Sequence, residues 1–373
     1  MSSVVIAGNT SGTVTLAAPD VAGTTTLTLP ATNGTLVTTA SGQALTSPTI
    51  TGTATLNGVN MTPYTMKNRI INGGMGINQR NGTTSVSATE STFNLDRWKI
   101  RCASNSKFTT QQVSTAPAGF SNSLLITSSA NTSLSAFDYY FLEQAIEGFN
   151  TADLNFGTAN AKTITLSMWV QSSITGTFGG AIQSSGSTRS YPFSYTISAA
   201  NTWTFISITI PGDTSGTWVG ATNGAGIVLR LNIASGTSLS GTPNAWVSAD
   251  YEGPTGATNL LATNGNTMNI TGVQLEVGSV ASAFEWRPYG QELNNCFRYY
   301  YKYPGSPNIH GMLYSSGKYI GTVFFPATMR TTPTIADLTG NYGTIENVGV
   351  SGMYMMRLAD NTYLTTYSAS AEL

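Results

Sequence analysis

Residues 163–171 read TITLSMWVQ, in which Ile164, Leu166, Met168 and Val170 alternate with Thr165, Ser167, Trp169 and Gln171. This is the signature of a β-strand with one face toward a core, because successive side chains of an extended chain point to opposite sides. The pattern returns in IVLRLNI at 227–233, through Ile227, Leu229, Leu231 and Ile233, and in TGVQLEV at 271–277, through Val273, Leu275 and Val277. Gly- and Ser-rich pieces, GGAIQSSGS at 179–187 and GTSLSG at 236–241, separate the runs. One-faced strands closed by turn residues predict an antiparallel two-sheet sandwich.

Outward from these strands the composition changes twice. Residues 1–63 hold no aromatic and one charged side chain, Asp20; all six Trp lie between Trp98 and Trp286; eleven of the seventeen Tyr come later. The expected domains are therefore a stalk at 1–66, a β-sandwich at 67–288, a connecting helix at 289–304 and a small β tip at 305–373. The fold class is all-β.

In the stalk, Gly12, Gly23 and Gly34 recur evenly, each followed by Thr. Between them Val14 with Leu16, and Leu27 with Leu29, read as short strands closed by Pro19-Asp20 and Asn33-Gly34 turns. Two or three aliphatic side chains per strand are too few to offset ~1 to 2 kcal/mol of backbone ordering per residue. Identical chains wound around one axis would supply the missing core, so a trimeric β stalk is expected.

Pro288 suits the first turn of a helix, and Leu293, Cys296, Phe297 and Tyr300 then follow at helical spacing, a face that three chains could bury between them. On this reading Phe284 and Trp286 close the sandwich core. Beyond Gly305 short strands return in YIGTVFFP, MRTTPTI, GTIENVGV, MYMMRL and TYLTTYSA.

Composition excludes several functions. Only 9% of the 373 residues are charged, against ~25% in ordinary soluble domains. Sixteen Lys and Arg against seventeen acids leave no basic field for nucleic acid or for an anionic membrane. No run of ~18 apolar residues suggests a membrane span, and no Lys or Arg before Lys67 provides the basic region of a secretion signal. Cys102, in an apparent strand, and Cys296, in an apparent helix, read as buried free thiols. Sequons such as that at Asn81 arise by chance in a chain so rich in Asn, Ser and Thr.

Catalysis finds little support. His310 is the sole histidine, in the loop-like PNIHGML with no nearby nucleophile. Glycoside cleavage needs two carboxyl groups ~5 to 9.5 Å apart, and the candidates are Glu143 with Glu147, Asp250 with Glu252, and Glu276 with Glu285. Each could equally fix a loop or pair with Arg97, Arg189 or Arg287. No phosphate loop appears, and the spacing of Asp and Asn selects no metal ligands; no cofactor is expected. Sugar binding by exposed rings flanked by Asn, Ser and Thr suits the composition better. Trp169 and Trp203 read as packing residues. The distal Tyr314, Tyr319, Tyr342, Tyr354 and Tyr363 are the candidate carbohydrate contacts, since so small a tip cannot bury that many rings.

The stretches NRIINGGMGINQR (68–80), LDRWKI (95–100), LEQAIEG (142–148), TLSMWVQSSITGTF (165–178), TWTFISITIPGDTSGTW (202–218) and 270–303 together resemble tail-fibre and receptor-binding proteins of tailed bacteriophages. FPATMRTTPTI at 325–335 is similar to the start of their distal domain, and residues 12–37 to repeats near their virion-attached ends. The resemblance implies a homotrimeric fibre joined to the virion tail or baseplate by its N-terminal segment. It also implies a jelly-roll sandwich similar to carbohydrate-binding modules, and a tip that meets host polysaccharide or lipopolysaccharide. No catalytic motif lies in the matching stretches. The expectation is a non-enzymatic adsorption protein of the virion, made in the host cytoplasm; the alternatives are a capsid-attached fibre or decoration without receptor role, a depolymerising tailspike, and a bacterial adhesin, which would need a secretion signal.

Overall fold

Ile164, Leu166, Met168 and Val170 are fully buried, and the strand they define, Ile164–Ser172, lies between two partners in the middle of a sheet. The computed structural model describes residues 3–7, 13–17, 55–56, 59–60, 66–305, 309–315, 318–357 and 363–373. The chain divides into two units, Met1–Gly52 and Thr53–Leu373. In the first, Ser3–Ala7 pairs antiparallel with Thr13–Ala17, setting Val4 opposite Leu16 and Ile6 opposite Val14. The remaining repeats of the expected stalk, with Leu27, Leu29 and both expected turns, lie outside the described residues.

The second unit is built on two six-stranded antiparallel sheets. One runs Ser190–Ile197, Gly176–Gln183, Ala225–Ser235, Tyr139–Glu147, Trp98–Cys102, Phe93–Leu95. The other runs Thr204–Ile210, Ile164–Ser172, Thr267–Val277, Ser123–Ser128, Phe108–Val113, Val86–Ser87. The chain passes repeatedly from sheet to sheet, as in a jelly roll, and the inward residues of both sheets make one core that includes Trp98, Phe108, Tyr140, Phe178 and Phe193. Cys102 ends its strand facing this core as a free thiol.

Among the described residues one α-helix, Tyr289–Phe297, follows Pro288. It is shorter than expected, because Tyr300–Lys302 is a strand paired with Ser370, Ala369 and Ser368. Consecutive tyrosines favour extended backbone, and the Tyr299 hydroxyl is already fixed by donating to Glu147 at 2.5 Å. The helix face is also covered within the chain. Cys296 is buried with Ile71, Ile77, Tyr299 and Leu373, and Tyr300 is buried as well, leaving Leu293 and Phe297 half-buried. Trp286 does not close the sandwich core; it is 59% exposed, outside it.

The tip has a second core of Val323, Phe325, Met329, Met353, Met355, Leu364 and Tyr367 between two small sheets. The Gly352–Arg357 and Tyr363–Ser370 strands match the expected runs, while Ile309–His310 and Met312–Ser315 are additional. Residues 369–373 return to the sandwich. Glu372 there pairs with the buried Arg97 and, at 2.7 Å, with Arg80, while Arg330 donates to the carbonyls of Ala371 and Glu372 at 2.8 and 2.9 Å.

Candidate functional site

The polar residues of the first sheet gather on its outer face. In Tyr139–Glu147 the even positions Tyr140 and Leu142 fill the core, so Tyr139, Phe141 and Glu143 point outward. In Ala225–Ser235 the core takes Leu229 and Leu231, which turns Arg230 outward, and the register sets Glu143 directly opposite Arg230. Residues 236–255 then cross over this face. Gly179 admits them: a Cβ there would come within 2.7 Å of Pro254 and 2.0 Å of the Phe193 carbonyl oxygen.

The result is a groove of about 570 Å³ lined by Arg101, Phe137, Tyr139, Glu143, Arg230 and Glu252, among others. Arg230 is its centre. Its Nε donates to Glu143 Oε2 at 2.9 Å, and its Nη1 donates to Glu252 Oε2 at 2.6 Å and to Asp250 Oδ1 at 3.2 Å. Arg101 lies 3.6 Å from Glu143 Oε2 and donates to Glu90 at 2.8 Å. Both guanidinium groups sit over the buried Phe141 ring, at 4.8 and 5.7 Å from its centre. Gln183 holds the crossing segment by donating to Asp250 Oδ1 and to the Tyr251 carbonyl. At the rim Phe137 is 73% exposed and Tyr139 half-buried.

Electrostatically the groove is not cationic. Two arginines face Glu90, Glu143, Asp250 and Glu252. Burial pushes Glu252 up to about 7 against the pull of Arg230, with Asp250 and Glu143 adding repulsion, so near neutrality it exchanges a proton. At Glu90 burial acts upward too, but the Cys102 amide and Arg101 outweigh it and hold the carboxyl below its usual range. Fixed carboxylates and guanidiniums over an aromatic floor can accept from and donate to hydroxyls through charge-assisted hydrogen bonds. An anionic ligand would meet excess negative charge.

Of the acids singled out in the sequence, the fold brings Glu143, Asp250 and Glu252 together and disperses the others. Glu147 accepts from Arg298 twice at 2.7 Å and from Tyr299. Glu276 is engaged by Ser282 and Gln274, and Glu285 by Asn68 and Arg287. Arg97, Arg189 and Arg287 pair with Glu372, Asp213, and Glu285 with Glu292, respectively. His310 lies in a short strand, 6.0 Å from the Tyr363 ring, rather than in a loop.

The five tip tyrosines do not form one surface. Tyr314 is 72% exposed on the edge strand Met312–Ser315, while Tyr319, Tyr342, Tyr354 and Tyr363 are half-buried. Tyr342 packs on the tip core, Tyr354 accepts from Asn347, and Tyr363 belongs to the other tip sheet. Arg101, Phe137, Tyr139 and Arg230 carried no flag in the sequence. The available signal was parity: an Arg inside the apolar run IVLRLNI, and Tyr139, Phe141 and Glu143 on the alternate face of their strand.

No family model matches the chain, and no curated protein matches it. Among solved structures it is similar to the enzymatically active domain of tailspike protein 4 of bacteriophage CBA120, at 13% identity and TM-score 0.28, over 56% of this chain and 21% of that one. It is similar to a candidate sugar-binding protein from Bacteroides thetaiotaomicron, at 14% identity and TM-score 0.33, over 57% and 100% of the two chains. A third is the CBM22-1 xylan-binding domain from Paenibacillus barcinonensis, at 9% identity and TM-score 0.25, over 54% and 99%. Similarity this distant in sequence and superposition decides neither ligand nor activity.

Proposed function

We propose that the chain is a glycan-binding, non-enzymatic adsorption protein of a tailed-phage fibre, assembled as a homotrimer on the virion and held to its tail by the N-terminal segment. The observation that carries the binding reading is the groove itself: a concave outer sheet face with an aromatic floor, an aromatic rim and fixed charged hydrogen-bonding groups. Such sites take ligands with an apolar face and a hydroxylated edge, which describes a pyranose ring. Its acidic balance favours neutral or amino-bearing sugars over phosphorylated ones, so the expected target is host surface polysaccharide rather than the phosphates of lipopolysaccharide.

The engagement of Glu143 supports the non-enzymatic reading. Glu143 and Glu252 share one guanidinium, and Glu143 is also near Arg101. Glu143, held by one guanidinium and close to a second, is a hydrogen-bond acceptor before it is a nucleophile, and Glu252, which exchanges a proton near neutrality, is the group that cleavage would need as its acid. Single sites of this kind are weak, and three copies per fibre raise effective affinity ~10² to 10⁴-fold. Incubation with purified host polysaccharide tests the reading. Saturable binding with unchanged chain length is the expected result; shortened chains would make the protein a depolymerase, and failure both to bind and to compete with adsorption would leave a fibre without receptor role.

A further inference from the structure

The second sheet also carries an outer surface, unrelated to the groove. Trp169 and Phe205 are cross-strand partners there, with ring centres 5.3 Å apart and Phe205 46% exposed. Beside them the register between Ile164–Ser172 and Thr267–Val277 slips at a bulge that contains Gly272, whose φ is +62°. A Cβ at Gly272 would lie 2.6 Å from Phe120 Cζ and 3.2 Å from Trp169 Cδ1, so the two rings close over the bare backbone. Phe120 in turn contacts Phe284 and Trp286, with centres 5.1 and 4.9 Å away. Phe205, Trp169, Phe120, Phe284 and Trp286 thus form one continuous ridge.

The ridge ends in a cavity of about 310 Å³ lined by Asn68, Asn122, Trp286, Arg287 and Tyr289, among others. Trp286 is 59% and Tyr289 68% exposed, and among the described residues the Trp286 indole N–H and the Tyr289 hydroxyl have no protein partner. The charges around them are engaged with one another. Arg287 donates to Glu285 at 2.9 Å and to Glu292 at 3.0 Å, and backbone amides of Asn68 and Asn72 complete the two carboxylates.

From this geometry we infer that the ridge and its end cavity are a second saccharide-binding surface, taking a neutral oligosaccharide that stacks on Trp286 and runs along the rings. Three features select this ligand. Beside Phe205 on the same strand the outward positions Ser207 and Thr209 are exposed, hydroxyls suited to a sugar edge and poor for a dry protein interface. The charged residues that line the cavity, Glu285, Arg287 and Glu292, are paired with one another. The cavity is rigid, since its aromatic wall is wedged edge to face and its polar rim is cross-linked, which lowers the ordering cost of binding.

Saturation-transfer NMR on the full chain with cellohexaose, maltohexaose and chitohexaose tests it. At least one sugar should show saturable transfer that weakens about tenfold in Trp286→Ala and in Tyr289→Ala. The same signal should persist in Trp286→Phe, which keeps an aromatic ring at the cavity. The inference fails if none of the sugars shows transfer, or if Trp286→Ala binds like the parent. It also fails if Trp286→Ala lowers the molar mass in light scattering, which would assign the ridge to contact between copies of the chain. Loss of binding in Phe137→Ala alone would support the groove and refute the ridge.

Discussion

At the scale of single residues the groove makes a statement about pH. Glu252 is raised to about 7 by burial, so the folded state holds a proton that the unfolded chain releases nearer its ordinary 4.5. Stability from this group is therefore complete below about pH 4.5 and is lost as pH climbs through 7. Asp96, raised by burial to about 6 from 3.8 despite Arg80, acts in the same direction. The urea midpoint should fall between pH 5 and pH 8, and Glu252→Gln should flatten that fall and stabilise the protein at pH 8 by roughly 2–3 kcal/mol; an unchanged profile in the variant would show that Glu252 does not titrate there. Little of this was legible in the sequence. Glu143 and Arg230 lie 87 residues apart and face each other only through the pairing of two strands, while Glu252 arrives on the segment that crosses them. The buried free state of Cys102 and Cys296 was legible, because each sits at an apolar position of a regular element.

At the scale of elements, alternation was a sufficient guide wherever one face of a strand meets the core, as in Ile164–Ser172, Ala225–Ser235 and Thr267–Val277. It was insufficient at the joint. Leu293, Cys296, Phe297 and Tyr300 do have helical spacing, yet the helix stops at Phe297 because Tyr300 pairs with Ser370, a partner supplied by sequence seventy residues away. The segment 369–373 is what locks this joint. Glu372 balances Arg97, whose side chain is 2% exposed, and it also meets Arg80, whose guanidinium rests 3.5 Å from the Tyr300 ring centre. Removing one partner of a buried pair strands the other charge, so Glu372→Gln should cost about 3–5 kcal/mol. Limited proteolysis should then cut the variant between the sandwich and the tip well before the parent; equal cutting rates would mean that the apolar cluster around Cys296 holds the joint alone.

At the scale of the whole molecule, the proposed fibre requires several copies, and light scattering on the full chain should give three times the single-chain mass of 39.2 kDa. One chain's mass would remove the trimer and with it the multivalent route to tight adsorption. The sandwich and the small β tip were legible from composition zones and periodicity, whereas the groove was not, since the tip's tyrosines drew attention by number while the groove's groups are few and come together only in the fold. Central to the account is the claim that the outer face of the Tyr139–Glu147 sheet recognises host polysaccharide. Isothermal titration of purified, dephosphorylated host surface polysaccharide into the parent chain and into Phe137→Ala and Tyr139→Ala measures it directly. Saturable heat with the parent, weakened about tenfold or more in each variant at unchanged thermal stability, is the predicted result; binding of equal strength in all three proteins would contradict it.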